Sequence, residues 1–136
     1  MSNFKIFDIA ASGMSAQSVR LNTVASNLAN ADSVSGDPNN VYRAKHPLFQ
    51  AVKGDPHDLS TARVNVTGIA QSQAAPETRY DPGNPLADAQ GNVYAPNVNV
   101  VEEMADMISA SRSYQNNVEM LSTSRDLLLA TLKLGQ

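Results

Sequence analysis

Alternating steps of three and four from Phe7 reach Ala10, Met14, Gln17, Leu21, Val24, Leu28 and Ala31, and only Gln17 among them is polar. From Phe4 to Ala31 the chain has no Pro and a single Gly, Gly13. That spacing predicts a long helix with the narrow apolar seam of a coiled coil or slim bundle. The positions between are Ser, Asn, Gln and Ala with few charges, where a lone solvated helix carries Glu and Lys. The helix is therefore expected to have neighbours on more than one side.

The other end mirrors the first. Val101 to about Leu134 holds no Pro and no Gly, and Gly135 follows as a stop. Val101, Met104, Ile108, Ser111 and Val118 form one seam, while Met107, Tyr114, Leu121 and Leu128 form an adjacent one. Glu102, Glu103 and Asp106 lie in the first turns, where carboxylates suit the helix dipole. Pairing the two helices leaves one C-terminal seam facing water. Exposed apolar stripes of that length mark interaction surfaces, so both ends are expected to become fully ordered only against neighbours.

Between the helices the pattern changes. All seven Pro and five of the seven Gly fall in residues 36–100. Alternation over Arg63-Val64-Asn65-Val66-Thr67 and Asn92-Val93-Tyr94 predicts short strands, with another over Val41 to Val52 despite Pro47. Pro82-Gly83-Asn84-Pro85 and Gln90-Gly91-Asn92 predict turns. The expected fold is mainly α: a helix in residues 1–35 and one in 101–136, paired as a coiled coil, with a small β-hairpin-rich insert in 36–100.

Composition narrows the function. Apolar residues make up 42% but aromatics only 5%, with no Trp, so the core must be built from Ala, Val, Leu and Met. The net charge of −3 is spread evenly, which removes the electrostatic case for nucleic acid or an anionic membrane. The absence of Cys excludes disulfides, thiolate metal sites and cysteine nucleophiles. No stretch approaches the roughly 18 uninterrupted apolar residues of a membrane span, and the start lacks the basic and apolar regions of a cleaved signal peptide.

Candidate chemistry is sparse. His46 and His57 have no further ligands at metal-site spacing and read as surface positions. Gly13-Met14-Ser15 lacks the strand–turn–helix setting of a nucleophile elbow. Glu102 and Glu103 are adjacent on a helix and point apart, so they read as a favourable helix start. Asn65-Val66-Thr67 is a weak sequon. Met104, Met107 and Met120 read as packing residues in a helix seam. Asn22, Asn27 and Asn30 have two readings: polar flank and capping, or amides that bond across a crowded subunit interface and fix its register, as a buried Asn does in a coiled coil. No catalytic residue, metal or cofactor is expected.

Ser26-Asn27-Leu28-Ala29-Asn30-Ala31-Asp32-Ser33 resembles the N-terminal signature of the bacterial flagellar axial proteins, the rod, hook and hook-associated subunits. Asn97-Val98-Asn99-Val100-Val101-Glu102-Glu103-Met104 and Ser109-Ala110-Ser111-Arg112-Ser113-Tyr114-Gln115-Asn116-Asn117 resemble that family's C-terminal signature, as does the close from Leu129 to Gln136. The short length, Val41-Tyr42-Arg43-Ala44-Lys45 through Phe49-Gln50, and Tyr80-Asp81-Pro82-Gly83-Asn84-Pro85-Leu86-Ala87-Asp88 resemble the proximal rod members. Larger inserts and a Thr-Pro-Gly-Tyr-type stretch mark distal rod and hook proteins; here Val34-Ser35-Gly36-Asp37-Pro38-Asn39-Asn40 stands in that place.

The resemblance implies a rod subunit exported unfolded without a cleaved signal peptide and assembled in the periplasm, where it transmits torque. Its implied partners are copies of itself, other proximal and distal rod proteins, a basal-body adaptor and a rod-cap muramidase during assembly. Phe7, Met14, Leu21, Val24, Asn27, Leu28, Asn30, Val101, Met104, Ile108, Tyr114, Val118, Leu121 and Leu128 are the expected subunit-interface residues. The rival reading is a cytoplasmic coiled-coil adaptor or regulator of type III export.

Overall fold

A computed structural model describes residues 3–54 and 62–134. His57 and Gly135 lie outside the described residues. Two long helices, α1 (Asn3–Ala29) and α2 (Val100–Leu134), enclose four strands in sequence: β1 (Lys45–Val52), β2 (Arg63–Gln71), β3 (Glu77–Tyr80) and β4 (Asn92–Ala95). The strands form two separate antiparallel hairpins, β1–β2 and β3–β4.

Local chemistry sets the helix ends. The Asn30 side-chain amide donates to the Ser26 carbonyl (2.8 Å), which also accepts the Asn30 backbone N–H (3.2 Å), so the side chain folds back onto the last turn of α1. At the start of α2 the Asn99 carboxamide oxygen accepts the Val101 and Glu102 backbone N–H groups (3.1 and 3.3 Å), as an N-cap does.

The helices pack against each other in antiparallel sense. The Asn27 amide bonds Glu103, and Gly13 lies against Asn117, so one step along α1 is matched by one step back along α2. The approach is close at Gly13: a Cβ there would stand 2.8 Å from the Asn117 amide nitrogen, and that side chain would have to shift. Projecting the same register to Asn3 places it opposite residue 127, so the last turns of α2 run past α1.

The longer hairpin lies along α1. The Ser12 hydroxyl accepts the Val64 N–H (3.2 Å) and Lys45 reaches Asn27 at the opposite end, so β1 runs back along the helix. A two-stranded ribbon is marginal alone and gains support from such packing. His46 pairs with Ala70 and Val52 with Arg63, and a bulge between Leu48 and Phe49 leaves Thr67 unpaired. The shorter hairpin is tied down by Ser35, which exchanges both backbone hydrogen bonds with Tyr94 (2.9 and 2.8 Å). Gly91 closes its turn with φ of +82°, a conformation that favours Gly.

The core is small-residued, as the composition requires. Ala10, Ala16, Val24, Ala31 and Ala110 are buried among the helices, and Val41, Ala44, Val93 and Ala95 in the insert. Pro47 sits inside β1 opposite Ile69; a two-stranded ribbon has only edges, where a missing N–H is tolerated.

Candidate functional site: the helix faces and their junction

The face of α1 turned to α2 differs from the seam that bulk hydrophobicity predicts. Gly13, Arg20 and Asn27, spaced by seven, all meet α2: Gly13 at Asn117, Arg20 through a 2.8 Å ion pair to Asp106, and Asn27 through Glu103. Phe7, Met14, Leu21 and Leu28 each follow this stripe by one residue, so they lie on its flank and stay half-buried. The physical reason is distance. Large side chains hold helix axes apart, whereas Gly13 between Ala10 and Ala16 lets the backbones approach. Val24 is buried on the inner side.

On α2 the inward positions are Glu103, Met107, Ala110, Tyr114, Asn117, Leu121, Ser124 and Leu128, all buried or half-buried and separated by alternating fours and threes. Tyr114, Leu121 and Leu128 thus belong to the intramolecular face. Val101, Met104, Ile108 and Val118 lie on another side, 77%, 53%, 57% and 42% exposed.

Asn27 is the hub of the junction. Its side chain is fully buried. Its nitrogen donates to the Lys45 carbonyl (3.0 Å) and to the Glu103 carboxylate (2.9 Å). Its oxygen accepts the Lys45 N–H (2.8 Å) and the Tyr42 hydroxyl (2.9 Å). Tyr42 therefore accepts from the Ser26 hydroxyl at 2.9 Å. Every hydrogen-bonding position of the amide is used within the chain, which joins α1, β1 and α2 at one point. Asn30 bonds within its own helix, its amide nitrogen donating to the Ser26 carbonyl.

Glu103, read from sequence as a favourable first-turn acid, is buried at 6% exposure and bonded to Asn27. Adjacent Glu102 remains exposed. Periodicity of apolar residues could not find this pair. A heptad of small and polar residues, Gly13, Arg20 and Asn27, immediately before the large ones is the signal that could have.

Further along the pair, the Gln17 side-chain oxygen is buried with no hydrogen-bond partner among the described residues. In the shorter hairpin, Asp88 accepts the Asn92 and Gln90 N–H groups (2.8 and 2.9 Å) and the Tyr94 hydroxyl (3.1 Å). The Asn92 N–H is the main cause that holds the Asp88 carboxyl below its usual range, while the bond to Asp88 raises the Tyr94 phenol above its own. His46 is exposed on β1. Among the described residues no cluster of three or more His, Asp or Glu could hold a metal, and no helix is long and apolar enough to cross a membrane.

Both helices coincide with known sequence families. Residues 7–36 match the family described as flagella basal body rod protein, and residues 89–134 the one described as flagellar basal body rod FlgEFG protein C-terminal. The whole chain is 54% identical to the whole of the flagellar basal-body rod protein FlgC of Escherichia coli O6:H1, and equally to that of Salmonella typhimurium LT2. The FlgC of Aquifex aeolicus is 43% identical over 98% of this chain and 97% of its own length. Family signatures on both helices and end-to-end identity lead to one conclusion: the chain belongs to the FlgC family of flagellar basal-body rod proteins.

Proposed function

We propose that this chain is a non-enzymatic structural subunit of the proximal rod, which assembles through its terminal helices and carries torque across their packed faces. The observation that carries the reading is the outer stripe of α2. Val101, Met104, Ile108 and Val118 present apolar side chains to solvent along several turns, a surface suited to neighbouring helices. Phe7, Met14, Leu21 and Leu28 add a half-buried flank on α1. Close-packed apolar contacts have low compressibility and therefore transmit force. Heterologous contacts that do not close on themselves build a helical array.

The two helices of one subunit pair as a coiled coil in this reading, supported by the alternating spacing of the inward α2 positions. Asn27 and Asn30 support the interface from beneath, by fixing the helix that carries it. Partners are further copies of the chain and other proximal and distal rod proteins, with a basal-body adaptor at one end and a rod-cap muramidase during assembly. The setting is the periplasmic part of the basal body, reached by export without a cleaved signal peptide.

Substituting Ile108→Asp tests the stripe with little effect on the monomer, because the residue is 57% exposed. Helix content and unfolding midpoint of the purified chain should change by less than about 0.5 kcal/mol in equivalent stability. Cells carrying the variant should not swim and should lack completed rods in electron micrographs. Normal swimming would overturn the proposal.

A further inference from the structure

Building on the rod-subunit reading, we infer that a groove between α1 and the longer hairpin receives the start of α2 from a second copy of the chain. The groove measures about 320 Å³ and is lined by Val19, Asn22, Thr23 and Ser26 of α1 and by Lys45 and Ile69 of the ribbon. It exists because a ribbon covers only one side of a helix. Lys45, Pro47 and Ile69 share one face of β1–β2, since Pro47 pairs with Ile69 and side chains two apart point the same way. That face lies against α1, yet Ile69 stays 52% exposed. The groove opens onto the back of α1, where Ser15, Ser18, Asn22 and Ala25 are exposed, uncharged and spaced by three, four and three. Side chains this small let a second helix come close, as Gly13 does on the side of α2.

Shape and charge identify the occupant. Helices enter apolar grooves on anchors spaced i, i+3 and i+7, and Val101, Met104 and Ile108 have that spacing at the start of α2. Seven residues of helix cover about 10 Å, which is also the run of groove floor from Val19 to Ser26. The stripe does not meet the groove of its own chain. Ile108 is two residues from the inward Ala110, about 200° around the helix, so it points away from α1. Lys45 places a cation at the groove, its Nζ 5.5 Å from the centre of the Tyr42 ring, and Glu102 places a carboxylate beside Val101. Among the described residues neither has an ion-pair partner. In the docked pair the two charges face each other. Groove and stripe are different surfaces, so each copy offers one of each and the contact repeats without closing.

The absence of Cys makes the test direct. Two full-length chains with different tags, one carrying Asn22→Cys and the other Ile108→Cys, are expressed together with the unaltered chain, which keeps rods complete. Basal bodies are isolated, oxidised and separated by size without reductant. The adduct joining both tags should exceed either same-tag adduct by at least about tenfold, because a heterologous contact brings unlike surfaces together. Lys45→Glu in the Asn22→Cys chain should lower the mixed adduct about fivefold, and adding Glu102→Lys to the Ile108→Cys chain should restore it. Same-tag adducts of equal yield overturn the docking site and leave the rod-subunit reading in place. So does a missing mixed adduct in basal bodies that contain both tags, or a mixed yield that ignores Lys45→Glu. Basal bodies that lack both tagged chains overturn the two together.

Discussion

The two ends of the helix pair are built on opposite terms. At the junction, where α1 ends and α2 begins, a buried amide uses all its hydrogen-bonding positions and links three elements. Toward the other end, Gln17 leaves a buried oxygen without a partner, and Leu127, Leu129, Leu132 and Leu134 are 64%, 50%, 62% and 86% exposed. The junction is tied by a saturated polar hub although Val101, Met104 and Ile108 beside it are exposed, whereas the shaft leaves a buried amide oxygen unpaired and ends in exposed leucines. Polar satisfaction, more than apolar content, separates the two regions.

That contrast can be broken most forcefully at its hub. Asn27→Ala removes four hydrogen bonds at once and leaves the Glu103 carboxylate buried without its donor. The expected loss is about 3 kcal/mol, measured by urea unfolding of the purified chain. A loss under about 1 kcal/mol would mean that the junction is no tighter than the rest, since ordinary substitutions cost that much.

The opposite sign is expected along the shaft. Gln17→Met exchanges an unpartnered polar group for an apolar one of similar length, and unfolding should then require about 1 to 2 kcal/mol more. A destabilised variant would show that the Gln17 oxygen is satisfied after all.

The smallest effect sharpens the picture within the insert. The Asp88 carboxyl titrates lower folded than unfolded, so its contribution is complete above the unfolded value and fades as pH falls through the folded one. The β3–β4 turn should loosen below about pH 4, seen as loss of protection at the Gln90 and Asn92 amides by NMR. Asp88→Asn should remove that pH dependence and leave the helix pair unaltered. Tyr94 runs the other way: its bond to Asp88 contributes below the phenol's unfolded value and is lost as pH rises through the folded one.

Both helices were legible in the sequence, because the loss of Pro and Gly coincides with sustained apolar spacing at each end. Their contact face was only half legible. Ala10, Gln17 and Val24 stand on the predicted stripe, but between them the helix turns Gly13, Arg20 and Asn27 inward instead of Phe7, Met14, Leu21 and Leu28. Hydropathy rewards bulk, whereas close helix contact rewards its absence. The strand at Arg63–Thr67 extends to Gln71, and β1 covers the second part of the expected Val41–Val52 segment. β3 escaped notice because Glu77, Thr78, Arg79 and Tyr80 are all exposed and carry no alternation; only pairing with β4 makes them a strand. Of the junction, Asn27 was visible as a candidate amide, but its partner Glu103 looked like one more acid at a helix start.

The unequal lengths of the helices have a geometric corollary. In the register set by Asn27 and Gly13, Asn3 stands level with residue 127 and α2 continues to Leu134, about 10 Å further. Past that level Leu129, Leu132 and Leu134 stand exposed, a ledge of bulk at the tip of the longer helix.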